Sequence, residues 1–131
     1  EIYTLSLHDA LPICQVIWRH EVSVISLSSG ILGEKSASHQ NKILESTLKE
    51  LGLKIHHTKH ALSGLEFIKQ HPEKRAEDLI EAFSRKTTRI IWSVIGGNDT
   101  IKILPFLEND YFETLVKENP KIYLWVFPIL L

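Results

Sequence analysis

Arg89–Ile95 reads RIIWSVI and runs straight into Gly96-Gly97. An almost continuous apolar run of this length, rich in β-branched residues and ended by glycines, is the pattern of a strand covered on both faces. Such strands belong to parallel sheets flanked by helices. Trp92, in the middle of the run, reads as a core residue whose indole N–H needs a partner.

Working outward, strands and helices alternate. Upstream, Val22–Leu27 (VSVISL) is a second β-branched run that breaks into the turn Ser28-Ser29-Gly30. From Ser36 to Leu51 the apolar residues Ile43, Leu44, Leu48 and Leu51 recur at helical spacing, and Gly52 supplies a stop. Leu53–Thr58 (LKIHHT) predicts another strand, and Ala61–Gln70 a short helix. Pro72 opens a longer helix to Phe83, with Ala76, Leu79, Ile80 and Phe83 on one side. Downstream, Asn98 or Asp99 is placed to cap a helix over Thr100–Leu107, Tyr111–Glu118 predicts another, and Lys121–Leu124 (KIYL) a fourth strand. Alternation of this kind requires βαβ crossovers. The expected fold is a three-layer α/β domain with a parallel, Rossmann- or flavodoxin-like sheet.

Composition sets further limits. The chain has 131 residues, enough for one modest domain. Lysine and arginine number 15 against 16 acidic residues, and this near-neutral balance argues against a general nucleic-acid binder, so nucleic acid is not an expected partner. A single cysteine, Cys14, forms no intramolecular disulfide and has no recognisable base beside it to make it a nucleophile. No apolar run reaches the roughly 18–20 residues of a membrane span.

In parallel α/β sheets chemistry sits at the carboxyl ends of the strands. Two loops qualify, Ser26–Gly30 and Gly96–Thr100. Consecutive glycines let backbone N–H groups approach an oxyanion or phosphate, which makes Gly96, Gly97, Asn98 and Asp99 the main candidates, with Ser28 and Ser29 as a second substrate-contacting pair. His56, His57 and His60 invite a metal reading, but neighbours on a strand point to opposite faces and no acidic ligand is close in sequence. No metal site is expected. Glu73-Lys74-Arg75 and Glu77-Asp78 read as a solvated helix face.

Five segments together carry a family resemblance: VISLSSGILGEK, LKELGLKI, HPEKRAEDLIEAF, IGGNDTIKILPFL and KENPKIYL. From about Arg19 to Leu124 the chain resembles the N-terminal half of the LD-carboxypeptidase family of serine peptidases, in its microcin C immunity-like branch. The resemblance implies a serine nucleophile on a strand-to-helix turn, a histidine and glutamate from a separate C-terminal domain, and an oxyanion donor from Gly96-Gly97-Asn98. It further implies a peptide or peptidyl-nucleotide substrate, no cofactor, a homodimer and a cytoplasmic location. Ser23 and Leu27 stand where the family would have Gly and Pro.

The two ends of the sequence read differently from the middle. Glu1–Ile13 (EIYTLSLHDALPI) is identical to one translated frame of a common sequencing adapter, so His8 and Asp9 receive no role. After KIYL the family continues Gly-Phe/Tyr-Ser-Asp, whereas this chain reads Trp125-Val126-Phe127-Pro128-Ile129. Any Trp-Val codon pair contains GGT from its third base, so residues 125–131 are expected to be a frame-shifted tail. The domain is then residues 14–124, a truncated N-terminal domain that lacks the family's serine, glutamate and histidine and is inactive by itself. The competing expectation is a non-catalytic Rossmann-like domain that binds a small anion at the Gly96-Gly97 turn.

Overall fold

The computed structural model describes residues 20–94 and 98–125. Its core is a four-stranded, all-parallel sheet of β1 (Glu21–Ile25), β2 (Lys54–His57), β3 (Thr88–Ser93) and β4 (Ile122–Trp125), in the order β2-β1-β3-β4. The predicted parallel α/β architecture is therefore present. The chain moves one way from β1 to β2 and the other way to β3 and β4, so the order reverses between β1 and β3. Loops leaving that point diverge and open a crevice at the carboxyl ends of the strands.

Side-chain alternation distributes the core to two layers. Val22, Val24 and Ile90 join Leu32, Leu48 and Leu53 beneath helix α1 (Ser38–Glu50). Ile25, Leu27 and Ile91 face the other way and meet Ala76, Leu79 and Ala82 of helix α3 (Pro72–Ser84). Each buried Val, Leu or Ile side chain among these contributes about 1.5–3 kcal/mol by leaving water. Ser23 shares a 2.7 Å hydrogen bond with Thr88 inside the sheet.

The helices follow the predicted pattern with three corrections. Helix α1 starts after two 3₁₀ turns (Ile31–Gly33 and Lys35–Ala37), and it buries Leu48 while Ile43 and Leu51 face solvent. Its end is a Schellman turn, with Gly52 N–H donating to the Lys49 carbonyl and Leu53 N–H to that of Leu48. Second, no helix begins at Ala61. Residues 58–63 form turns, and Gly64 at φ 90°, a conformation that glycine alone adopts without strain, delays helix α2 to Leu65–Gln70. Third, Asn98–Phe106 winds as a 3₁₀ helix, with Asn98 and Asp99 in its first turn and not as preceding caps. The Pro105 ring would crowd the carbonyl four residues back in an α-helix, and tighter winding relieves it. Helix α4 (Asp110–Glu118) is capped by the Asn109 side chain, which accepts from Phe112 N–H at 2.8 Å.

Candidate functional site

The crevice between β1 and β3 is built from two strand ends and a third segment tied to them. Val94 N–H donates to the Ile25 carbonyl, fixing how far the β3 end extends past β1. Buried Ser26 donates to the Ala61 carbonyl at 2.8 Å, and Thr58 N–H to that of Val24, drawing the turn after β2 against β1. Asp78 secures that turn from below. Its carboxylate accepts from Thr58 Oγ1 (2.8 Å) and His60 N–H (3.2 Å) and lies 2.8 Å from His60 Nδ1. Burial pushes the Asp78 carboxyl above its ordinary range, and those hydrogen bonds oppose the shift.

Above this base a cavity of about 390 Å³ is lined by Ser28, Ser29, Leu65, Glu66, Lys69 and Asp99. Three of the predicted site residues therefore come together: both serines from the β1 loop and Asp99 from beyond β3. Asn98 is exposed and does not line this cavity. Gly96 and Gly97 lie outside the described residues. Lys102 first, and Arg75 after it, hold the Asp99 carboxyl below its usual range, so Asp99 is an anion at neutral pH. Two carboxylates, one ammonium and two hydroxyls suit a ligand that offers hydroxyl or amine donors as well as charge.

Sequence reasoning missed Arg75. The charged run at the start of α3 is only partly a solvated face: Glu77 is exposed, but the side chains of Arg75 and Asp78 are buried. Arg75 Nη1 donates to the Leu27 carbonyl (2.8 Å) and to the carbonyl and carboxylate of Asp99 (3.2 and 3.4 Å), joining the two strand-end loops. The signal was present, because Arg75 and Asp78 share the i, i+3, i+7 stripe that ends at buried Ala82. Leu65, Glu66 and Lys69 were missed because the reach of α2 to this cavity depends on the turn after β2.

The histidines do not converge. His56 Nε2 lies 2.6 Å from Glu81 on the α3 side, while His57 faces α1, 3.8 Å from Glu45. His60 belongs to Asp78. Each histidine thus meets a carboxylate that the sequence reading had not placed beside it. Among the described residues no three potential ligands form a metal-binding group. Trp92 is half-buried, lining an apolar groove of about 500 Å³ with Leu32, Leu44 and Val94.

Fold and crevice define a doubly wound α/β domain with its site at the reversal of strand order. The LD-carboxypeptidase N-terminal domain model matches residues 22–124, and the chain belongs to that family. It is similar to an MccF-like protein from Streptococcus pneumoniae, solved in complex with AMP: 46% identity, TM-score 0.75, covering 79% of this chain and 30% of that one. An MccF-like protein from Bacillus anthracis is 27% identical over 81% of this chain and 30% of its own, with TM-score 0.65. The microcin C7 self-immunity protein MccF, in complex with aspartyl sulfamoyl adenosine, shares the fold at 24% identity and TM-score 0.65, again over 81% of this chain and 30% of that one. The chain thus spans about 30% of the length of these structures. No curated protein sequence matches it.

Proposed function

We propose that this chain is the substrate-binding N-terminal portion of a serine-type LD-carboxypeptidase of the immunity-like branch. Its longer form would hydrolyse an amide in a peptidyl-nucleotide or a muropeptide. The observation that carries this reading is the 46% identity, over 79% of the chain, to a protein whose structure holds AMP. The cavity of Ser28, Ser29 and Asp99 at the strand-order reversal supports it, being where such a fold places substrate.

In this reading the frame restored after Leu124 supplies a serine at the tip of β4; it attacks the amide carbonyl, a histidine takes the serine proton and returns it to the leaving amine, and water then releases the acyl group. A glutamate orients that histidine. Backbone N–H groups of the Gly96-Gly97-Asn98 stretch contribute to the oxyanion hole. Ser28, Ser29, Glu66 and Asp99 orient substrate and are not themselves nucleophiles. The longer protein works without metal or cofactor, in the cytoplasm, as a homodimer. The 131-residue chain alone binds but does not hydrolyse.

The test starts from the source DNA on both sides of the coding segment. The longer protein is expressed and incubated with an aminoacyl sulfamoyl nucleoside and with a muramoyl tetrapeptide. Amino-acid release, abolished by serine-to-alanine substitution at the strand tip, is the expected result. Nucleotide binding without hydrolysis would instead favour a non-catalytic domain that binds anions at Gly96-Gly97.

A further inference from the structure

We infer that Arg75 is a positioning residue: a buried guanidinium that sets the distance between the Ser28-Ser29 loop and the Asp99 loop. This deepens the proposed function and rests on it for its catalytic consequence.

The Arg75 side chain has no exposure to solvent, and a guanidinium does not shed its charge inside a protein. Holding that charge in the interior carries a desolvation penalty that excellent pairing alone can offset, and an apolar side chain of similar volume often serves stability as well or better. The pairing here is not excellent. One nitrogen, Nη1, faces all three acceptors, and the only carboxylate among them is at 3.4 Å, with Lys102 Nζ nearer to that same carboxylate at 2.5 Å. Nε and Nη2 are buried and have no hydrogen-bond partner among the described residues. Among the described residues this pairing offers little return in stability for burying a charge.

Its acceptors account for the placement. The Leu27 carbonyl immediately precedes Ser28, and the Asp99 carbonyl lies in the first turn after β3. No β-ladder bond joins these two points, which lie beyond the last paired residues, Ile25 and Ser93. Arg75 spans them from α3, a helix anchored in the core by Ala76, Leu79 and Ala82. The stretch assigned to the oxyanion hole ends at Asn98, next to the Asp99 anchor. A displacement of about 1 Å in such a group costs a rate on the order of 100-fold.

The experiment compares Arg75→Met with wild type at two levels. In the longer protein the expected result is a kcat lower by about 100-fold, with KM within about 3-fold and the protein still fully folded under assay conditions. Arg75→Lys, which keeps the charge but ends one bond short of the Nη1 position, is expected to recover less than a tenth of the loss. Unchanged kcat in Arg75→Met, or a fall in activity that merely follows a fall in the folded fraction, overturns the inference. Should wild type itself fail to hydrolyse substrate, the functional reading falls and hydrogen exchange on the 131-residue chain decides the matter of Arg75. Faster exchange at Ser28–Gly30 and at Asn98–Thr100 together in Arg75→Met supports the spacer role, and a change in one loop or neither refutes it.

Discussion

Helix α3 and the residue that follows it bring an arginine to each end of the sheet, and the two are held in opposite ways. At the amino end, Arg85 grips Glu21 with two parallel hydrogen bonds, Nε to Oε1 at 2.7 Å and Nη2 to Oε2 at 2.8 Å, and Thr88 adds a third to the same carboxylate. At the carboxyl end, Arg75 is sealed from water and meets two backbone carbonyls and one distant carboxylate. The first arrangement is a staple with good complementarity that tolerates solvent. The second is poor as a pair but useful as a brace, because its acceptors belong to two loops that no other hydrogen bond joins among the described residues. The two arginines thus separate stability from site geometry.

Two carboxyls sharpen the contrast because they shift in opposite directions. Arg85 holds Glu21 down to about 2, whereas burial pushes Asp78 up. A carboxyl lowered in the folded state stabilises above its unfolded pKa, and that contribution fades as pH falls towards the folded value. A raised one does the reverse, weakening the fold as pH climbs past its ordinary range.

The largest effect is expected at the carboxyl end. In Gly30→Ala the added Cβ would lie 2.1 Å from the Gly64 carbonyl oxygen and 2.7 Å from Ile68, and the backbone atom cannot rotate away. A loss of about 3 kcal/mol or more is expected by urea denaturation, since overpacking against a fixed wall has no cheap relief. A loss below 1 kcal/mol would mean that the two loops are not clamped together. Asp78→Ala comes next, at about 2–3 kcal/mol, because it strands the His60 N–H in the interior and leaves the Thr58 hydroxyl only the Val24 carbonyl at 3.3 Å. Calorimetry of this variant beside Asp78→Asn, which keeps an acceptor, should show the asparagine recovering part of the difference.

Smaller effects belong to the amino end and the exposed helix face. Wild type should exceed Glu21→Gln by about 1–2 kcal/mol at neutral pH, less than the full shift implies because Arg85 is 35% exposed. That margin should close as pH falls from about 4.5 towards 2. A margin independent of pH would show that the ion pair is not its source. Lys117→Ala removes a surface pair with Glu113 on α4 and should change stability by about 0.3 kcal/mol, vanishing in molar salt.

Much of the fold was legible before any coordinates. RIIWSVI and VSVISL could be read as buried parallel strands because apolar continuity between turn signals leaves few other options, and Gly52 ended its helix for a local, steric reason. The stretch HPEKRAEDLIEAF was half-read. Its apolar stripe announced α3, but Arg75 and Asp78 were placed in water because charges belong there unless partners compensate them. The partners of Arg75 are carbonyls at residues 27 and 99, distant in sequence and of no particular type, so no local pattern betrays them. Similarly, Ser28, Ser29 and Asp99 were each identifiable as loop candidates, while Glu66 and Lys69 became neighbours of theirs only through the turn that Ser26 and Asp78 hold.

Periodicity, turn residues and order of elements, all properties of neighbours along the chain, were sufficient for the sequence to determine a parallel α/β sheet and the ends at which its loops gather. Which charges would be buried, and which loops they would join, was decided only when strands 65 or more residues apart were set side by side. The free energy of a desolvated group depends on what surrounds it in space, and that is the quantity a linear sequence leaves unspecified.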